Sequence, residues 1–150
     1  MANDNNHFAG RISSHPSDSL NQLDPLVGKW KVNGSFVEGL VAFAWMEGGF
    51  FMIQHVELHR GDATIKGVEY IRFDEDTKSL KSHYMDNLGS NFTYTWSVEG
   101  RAIRIWFGDQ GSENFFVGTF DEDMNSFSGR WQWPGGGYEA TMTRMVPREL

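Results

Sequence analysis

The sequence predicts an all-β protein, an up-and-down antiparallel barrel of about ten strands. Segments of alternating apolar and polar residues follow one another through most of the chain, and 17 Gly with only 4 Pro suit glycine turns between them. Gly28-Lys29-Trp30 opens the first strong strand, and Arg144 lies near the end of the last. Closure of such a sheet brings the first and last strands together, so we expect the Trp30 indole to lie against the Arg144 guanidinium.

The chain of 150 residues has the length of one domain with a sizeable core. We interpret residues 1–16 as a flexible N-terminal arm and residues 17–150 as a single β-barrel domain. A short helix is predicted over residues 17–27, with Ser17 or Ser19 as its N-cap. Its apolar side chains are expected to face inward: Leu20, Leu23 and Leu26.

The remaining chain divides into strands separated by glycine-containing turns. Two-residue hairpin turns are predicted at Glu38-Gly39, Gly61-Asp62 and Glu99-Gly100, and longer glycine loops at residues 47–50 and 134–137. The strands are predicted near residues 29–37, 40–46, 51–59, 64–73, 79–86, 91–98, 101–108, 113–120, 126–133 and 138–145.

Turn length determines which side chains share a face of the sheet. With Gly61-Asp62 as the turn, Gln54 lies opposite Glu69, and Glu57 lies opposite Lys66. The face that carries Gln54 is mostly apolar and is therefore expected to line the barrel interior. The same alternation continues through every later strand, which supports the barrel prediction.

Four polar residues fall on this interior face, on three neighbouring strands: Gln54, Glu69, Tyr84 and Asp86. A carboxylate among aromatic walls must be paired, hydrogen-bonded or protonated, because its burial otherwise costs several kcal/mol. One interpretation gives acid–base catalysis to Glu69, with Tyr84 as proton donor or oxyanion partner and Asp86 as an orienting group. The other gives Glu69 a structural role, accepting hydrogen bonds from Tyr84 and Gln54.

Aromatic residues dominate the rest of the interior face. Ten strands enclose more space than eight, so an apolar cavity for a small hydrophobic or aromatic molecule is expected. The candidate ligand-binding residues on this face and at its mouth are Phe43, Gln54, Phe92, Tyr94, Asn114, Phe116, Trp131, Trp133 and Tyr138.

Two patterns belong to the outer face. His55, Glu57 and His59 share one side of a strand, but the register places that side in solvent with Glu57 opposite Lys66, so we predict no metal site. An apolar outer patch, formed by Met85, Thr93, Trp106, Phe115 and Val117, is predicted to form a homodimer contact.

The composition and charge of the chain limit the classes of partner that it is expected to bind. A net charge of −7 with 13 scattered Lys and Arg argues against nucleic acid, and no apolar stretch reaches the roughly 20 residues of a membrane span. Residues 1–10 are polar and lack a signal-peptide core, so a cytoplasmic location is expected. With zero Cys, thiolate catalysis and disulfides are excluded.

Four motifs carry a family resemblance over roughly residues 20–145: Leu26-Val27-Gly28-Lys29-Trp30, Trp45-Met46-Glu47-Gly48-Gly49-Phe50-Phe51, Asp86-Asn87-Leu88-Gly89 and Gly129-Arg130-Trp131-Gln132-Trp133-Pro134-Gly135-Gly136. With Gly-x-Trp on the first strand and Arg144 on the last, the chain resembles the lipocalin (calycin) superfamily, and within it a bacterial lipocalin-like family of unassigned function. The resemblance implies that the short helix plugs one end of the barrel.

The resemblance leaves two kinds of function open. One is a protein that binds a small apolar or aromatic molecule inside the barrel. The other is a cofactor-independent cyclase, isomerase or lyase acting on a polyketide-like or aromatic substrate. Nitrobindin-like ten-strand barrels hold haem through a His on a late strand, whereas this chain has no His after His83, so no cofactor is expected.

Overall fold

The computed structural model describes residues 15–148, so most of the expected N-terminal arm lies outside the described residues. A 3₁₀ helix, Asp18–Leu26, precedes ten strands. These are β1 (Gly28–Gly34), β2 (Glu38–Trp45), β3 (Met52–Arg60), β4 (Ala63–Asp74), β5 (Ser79–Asp86), β6 (Asn91–Glu99), β7 (Ala102–Phe107), β8 (Phe115–Phe120), β9 (Ser126–Trp133) and β10 (Gly136–Arg144).

The ten strands form a closed antiparallel barrel in which every strand pairs with its neighbours in sequence, and β1 pairs with β10. The predicted all-β up-and-down barrel is therefore confirmed. Trp30 pairs with Arg144 across the closing ladder. The predicted register is also confirmed, because Gln54 pairs with Glu69 and Glu69 with Tyr84.

The turns are predicted less accurately than the register. Gly61-Asp62 is a two-residue turn, as predicted, since Arg60 pairs with Ala63. The prediction of a Glu38-Gly39 turn is wrong: both residues lie in β2, and the turn is made by residues 34–37, closed by a hydrogen bond from Gly34 N to Val37 O at 2.8 Å.

Two further turns differ from the prediction in position or length. Glu99 pairs with Ala102, which places the turn at Gly100-Arg101, one residue later than predicted. Trp133 pairs with Gly136, so the expected loop over residues 134–137 is a two-residue Pro134-Gly135 turn. Gly135 has φ +90°, which suits the glycine position of a type II turn after Pro134.

The 3₁₀ helix closes one end of the barrel, here called the floor. Ser17 caps the helix by accepting a hydrogen bond from Ser19 N at 3.2 Å. Leu20, Leu23 and Leu26 are buried, because a spacing of three residues places them on one face of a 3₁₀ helix. The helix contacts β4, β5 and β6, so the predicted inward-facing helix is confirmed.

Arg144 joins the helix to the sheet. Its guanidinium lies 4.1 Å from the centroid of the Trp30 ring, and the Trp30 indole donates to Leu26 O at 2.8 Å. The guanidinium also donates to Pro25 O at 2.9 Å, to Met124 O at 3.0 Å and to Val27 O. Because these contacts link the helix to β1 and to the loop before β9, the Arg144 side chain holds that end of the barrel shut.

Candidate functional site

A cavity of about 310 Å³ extends through the barrel from Leu26 of the floor helix to Tyr138 near the opposite end, here called the mouth. Its walls are mostly apolar and aromatic. Ten of the sequence-predicted site residues line it: Phe43, Gln54, Glu69, Tyr84, Asp86, Phe92, Tyr94, Phe116, Trp131 and Tyr138.

Two sequence-predicted residues lie outside this set. Asn114 is in the β7–β8 loop, where its carbonyl accepts from Phe107 N at 2.9 Å. Trp133 ends β9 with 39% of its surface exposed, and its ring packs edge-on against Tyr138 at 6.1 Å between centroids. Both residues therefore stand beside the mouth without lining the cavity.

Glu69 is the buried carboxylate of the cavity, with 5% of its surface exposed. Its Oε1 accepts from Gln54 Nε2 at 2.9 Å. Its Oε2 accepts from Ser82 Oγ at 2.6 Å and from Trp96 Nε1 at 3.0 Å, and the same indole N–H lies 3.0 Å from Ser82 Oγ. Both carboxylate oxygens are thus engaged by neighbouring side chains.

The electrostatics of Glu69 are set by two opposing effects. Burial raises its pKa, whereas the hydrogen bonds from Ser82, Trp96 and Gln54 lower it. Burial is the larger effect and raises the pKa of Glu69 from 4.5 to about 6. A carboxyl group with this pKa changes protonation state close to neutral pH, which is suitable for proton transfer.

Tyr84 and Asp86 form a second polar unit, closer to the mouth. The Tyr84 hydroxyl donates to Asp86 Oδ2 at 2.8 Å, so the expected hydrogen bond from Tyr84 to Glu69 is wrong. Asp86 Oδ1 accepts from the backbone N–H groups of Leu88 at 2.9 Å and Ser90 at 3.0 Å. Burial favours a raised pKa for Asp86, but these hydrogen bonds outweigh it and lower the pKa.

Gly67 allows Tyr84 to reach Asp86. It pairs with Asp86 across β4 and β5, and a Cβ atom at this position would lie 2.8 Å from the Tyr84 hydroxyl. The Tyr84 ring therefore occupies the space that a side chain would fill. Burial, together with the hydrogen bond to Asp86, raises the pKa of Tyr84 well above its ordinary value, so its hydroxyl stays protonated at neutral pH.

A continuous aromatic wall runs around the cavity from Tyr84. Trp131 packs against Phe116 and Tyr94, with ring centroids 5.6 Å and 5.8 Å apart. Among residues 15–148, every buried side-chain oxygen has a hydrogen-bond partner, whereas the Tyr94 hydroxyl has none, so this hydroxyl is not buried. The Tyr94 hydroxyl is therefore accessible from the cavity.

The mouth contains two lining residues that sequence reasoning missed, Phe36 and Arg60. The Arg60 guanidinium lies 3.9 Å from the centroid of the Phe36 ring, which packs against Tyr138 at 5.4 Å between centroids. Arg60 continues the inward-facing series of β3, so its parity could have identified it. The alternation of the first strand places Phe36 on the inner face but does not mark it as a site residue; the structure places it in the 34–37 turn.

The His55-Glu57-His59 pattern lies on the outer face. All three residues are exposed, and Glu57 pairs with Lys66 as predicted. Nowhere in the described part of the chain do three or more His, Asp or Glu side chains come together as a metal site would require.

The outer apolar patch is partly covered by the chain itself. The β7–β8 loop folds back over β5 and β6, with Lys81 Nζ 2.9 Å from Asp109 Oδ1 and Thr95 Oγ1 donating to Gly108 O at 2.7 Å. Trp106 pairs with Phe115, as predicted, and both are half-buried, whereas Val117 is 37% exposed.

Comparison with known proteins adds no relative: no protein-family model matches the chain, and no curated protein matches it. Among residues 15–148, no helix combines the length and the apolar character that crossing a membrane requires.

Proposed function

We propose that this protein is a lipocalin-like barrel that binds a small apolar or aromatic molecule in its interior cavity. The observation that carries the proposal is the cavity itself, which is apolar, aromatic-walled and closed at the floor. Its volume of about 310 Å³ is at the lower end of the roughly 300–1,000 Å³ typical of small-molecule pockets. A cavity of this volume is suitable for a compact ring system.

The polar groups of the cavity support binding of this kind. Glu69 and Asp86 have hydrogen-bond donors on every carboxylate oxygen, so an apolar molecule can lie beside them without removing a partner. The Tyr94 hydroxyl remains available for one directed hydrogen bond, which is the arrangement that gives orientation in an otherwise apolar site.

A fluorescent apolar probe tests the proposal. N-phenyl-1-naphthylamine brightens in apolar surroundings, and we expect the protein to bind it with a stoichiometry near one. Ala140 lines the cavity, so Ala140→Phe fills part of it and should weaken binding at least about tenfold.

The matched control is Ala102→Phe, which adds the same ring at an exposed position at the start of β7. This variant should bind the probe as tightly as the unmodified protein. Equal affinity of the Ala140→Phe variant would show that the probe lies elsewhere and would reject the cavity as the binding site.

A second candidate function, a cyclase, isomerase or lyase, is favoured by one observation. Glu69 lies in the cavity wall with its pKa raised to about 6, which is suitable for a general acid or base. In this proposal Tyr84 and Asp86 orient the substrate. The ionised Asp86 carboxylate accepts the hydrogen bond of the Tyr84 hydroxyl and so fixes the position of that phenol in the cavity wall.

Glu69→Gln separates the two functions. A binding protein should retain its affinity within a few-fold, whereas an enzyme should lose turnover by about 10²–10⁴. Native mass spectrometry of the protein purified from its own cells can identify the bound molecule, which is then used as the substrate in this measurement.

The remaining proposals concern the setting of this function. We keep the cytoplasm as the proposed location and a homodimer through Met85, Trp106, Phe115 and Val117 as the proposed assembly. The exposure of Val117 supports the second, and no membrane or nucleic-acid partner is proposed.

A further inference from the structure

The cavity has three charged lining residues, and they differ in what they leave available to a ligand. Glu69 and Asp86 are carboxylates whose oxygens all accept hydrogen bonds from the protein. Arg60 is the third, and its guanidinium has no carboxylate within salt-bridge distance and no hydrogen-bond acceptor among residues 15–148. The charged group with unused hydrogen-bonding capacity is therefore the cation at the mouth.

Arg60 is positioned by stacking. Its Cζ atom lies 3.9 Å above the centroid of the Phe36 ring, and the Phe36 ring packs against Tyr138. Stacking on a ring fixes the plane of a guanidinium but leaves the N–H groups at its edge free. Those N–H groups match the two oxygens of a carboxylate or a related oxyanion.

The strand register keeps Arg60 apart from the two cavity carboxylates. Asp86 pairs with Gly67, which pairs with Val56, four residues before Arg60 on β3. At about 3.3 Å per residue, this separation is roughly 13 Å along the strand. Glu69 pairs with Gln54, six residues before Arg60 and roughly 20 Å away along β3. Arg60 is therefore too far from either carboxylate to pair with it, although Asp86 also lies towards the mouth, at the end of β5.

We propose that Arg60 binds the anionic group of the ligand, so the molecule taken up is an amphipathic anion with its ring system in the aromatic part of the cavity and its carboxylate or similar oxyanion at the mouth. This inference rests on the proposed binding function and specifies its ligand class. The Tyr138 ring packs against the same Phe36 ring, and its hydroxyl, which has no hydrogen-bond partner in the described ranges, is proposed to donate a second bond to the anion.

Two probes with the same aromatic skeleton test the charge requirement. N-phenyl-1-naphthylamine is neutral, and 8-anilino-1-naphthalenesulfonate adds one sulfonate to it. We expect Arg60→Gln to weaken binding of the sulfonate probe at least about tenfold, the effect of losing a charge-assisted hydrogen bond, and to change binding of the neutral probe less than about twofold.

Arg130→Gln is the matched control, since Arg130 is an exposed arginine on the outer face that lies 4.0 Å from Glu139. It should leave both affinities unchanged, and the neutral probe should displace the sulfonate probe from the unmodified protein.

Each other result overturns the inference in a recognisable way. Equal weakening of both probes by Arg60→Gln would show that Arg60 acts by packing on Phe36. No weakening of either probe, or equal weakening of the sulfonate probe by Arg130→Gln, would show that Arg60 does not bind the anion, while the proposed cavity function stands. Failure of both probes to bind the unmodified protein would instead reject the proposed function itself.

Discussion

Glu69→Gln should make the protein more stable at neutral pH, although it removes a buried charged group with three hydrogen-bond donors around it. The pKa of Glu69 is about 6 in the folded protein and ordinarily 4.5. Below pH 4.5 the carboxyl group is protonated in both the folded and unfolded states. Between pH 4.5 and 6 the unfolded chain ionises first, so the free energy of unfolding falls as pH rises. Above pH 6 this loss is complete and amounts to ~2 kcal/mol, at about 1.36 kcal/mol for each pKa unit.

The hydrogen bonds around Glu69 allow glutamine to replace it. The side-chain carbonyl of the introduced glutamine, placed where Oε2 lies, can still accept from Ser82 and Trp96, which are the donors at that oxygen. The amide nitrogen of the new side chain then takes the place of Oε1 and faces Gln54, whose own amide can rotate to offer its oxygen. Each hydrogen bond is preserved and the ionisation cost disappears. The variant should match the unmodified protein at pH 4 and exceed its unfolding free energy by up to ~2 kcal/mol at pH 7.

Urea denaturation followed by tryptophan fluorescence, at several pH values from 4 to 7.5, measures this difference. Subtracting the unfolding free energies of the two proteins at each pH removes the contributions of Asp24, Asp74 and Asp86, which both proteins share. The pKa values of these three residues are lowered in the folded state, so they stabilise the fold at neutral pH and lose that effect as the pH falls. Glu69→Leu is the contrasting variant: it leaves Ser82 and Gln54 without their acceptor, whereas the Trp96 indole keeps Ser82 Oγ as an acceptor. It should be less stable than Glu69→Gln by ~1–3 kcal/mol per donor at every pH. Parallel pH profiles for the unmodified protein and Glu69→Gln would refute the reasoning.

Three other substitutions test separate parts of the structure. Arg144→Met should lower the unfolding free energy by ~3 kcal/mol or more, because it leaves three partly buried backbone carbonyls at the floor without this donor. Guanidinium denaturation measures the change, and a loss below about 1 kcal/mol would contradict the prediction. Gly67→Ala should displace Tyr84 from Asp86 and cost ~1–3 kcal/mol, and a crystal structure of the variant with that hydrogen bond intact would argue against the packing described. Val117→Glu should convert the proposed homodimer to a monomer in sedimentation velocity, whereas an unmodified protein that stays monomeric at high concentration would reject the dimer.

The barrel and its inside face could be predicted because register depends on few residues. A two-residue turn at Gly61-Asp62 fixes the pairing of β3 with β4 and thereby turns Gln54 and Glu69 inward. Parity carries the same inference to Tyr84, and the observed pairs agree. The sequence alone therefore predicts which side chains of a strand face inward, because this orientation alternates from one residue to the next.

The connections inside the site could not be predicted in this way. The alternation of β5 and β6 places Ser82 and Trp96 on the inner face, but it does not predict their contacts with Glu69. The Ser82 contact depends on side-chain rotamers across the paired strands β4 and β5, and the Trp96 contact also requires the indole to reach past β5 to β4. Tyr84 lies directly opposite Glu69, yet its ring leans over Gly67 and bonds Asp86 instead. Alternation shows which residues share a wall, whereas the choice of partner depends on which positions lack a side chain.

The distribution of satisfied and available polar groups explains why recognition by this barrel should be concentrated at its mouth. Arg144 donates hydrogen bonds to the polar groups of the floor helix, and the side chains around Glu69 do the same for the carboxylate in the middle of the cavity. A ligand at these levels therefore gains mainly from burial of apolar surface. Apolar contact alone discriminates weakly between molecules of similar size, whereas a directed charge discriminates strongly. Arg60 supplies such a charge in a protein of net charge −7, whose overall field repels anions. Anion binding at Arg60 must therefore depend on close contact with the guanidinium.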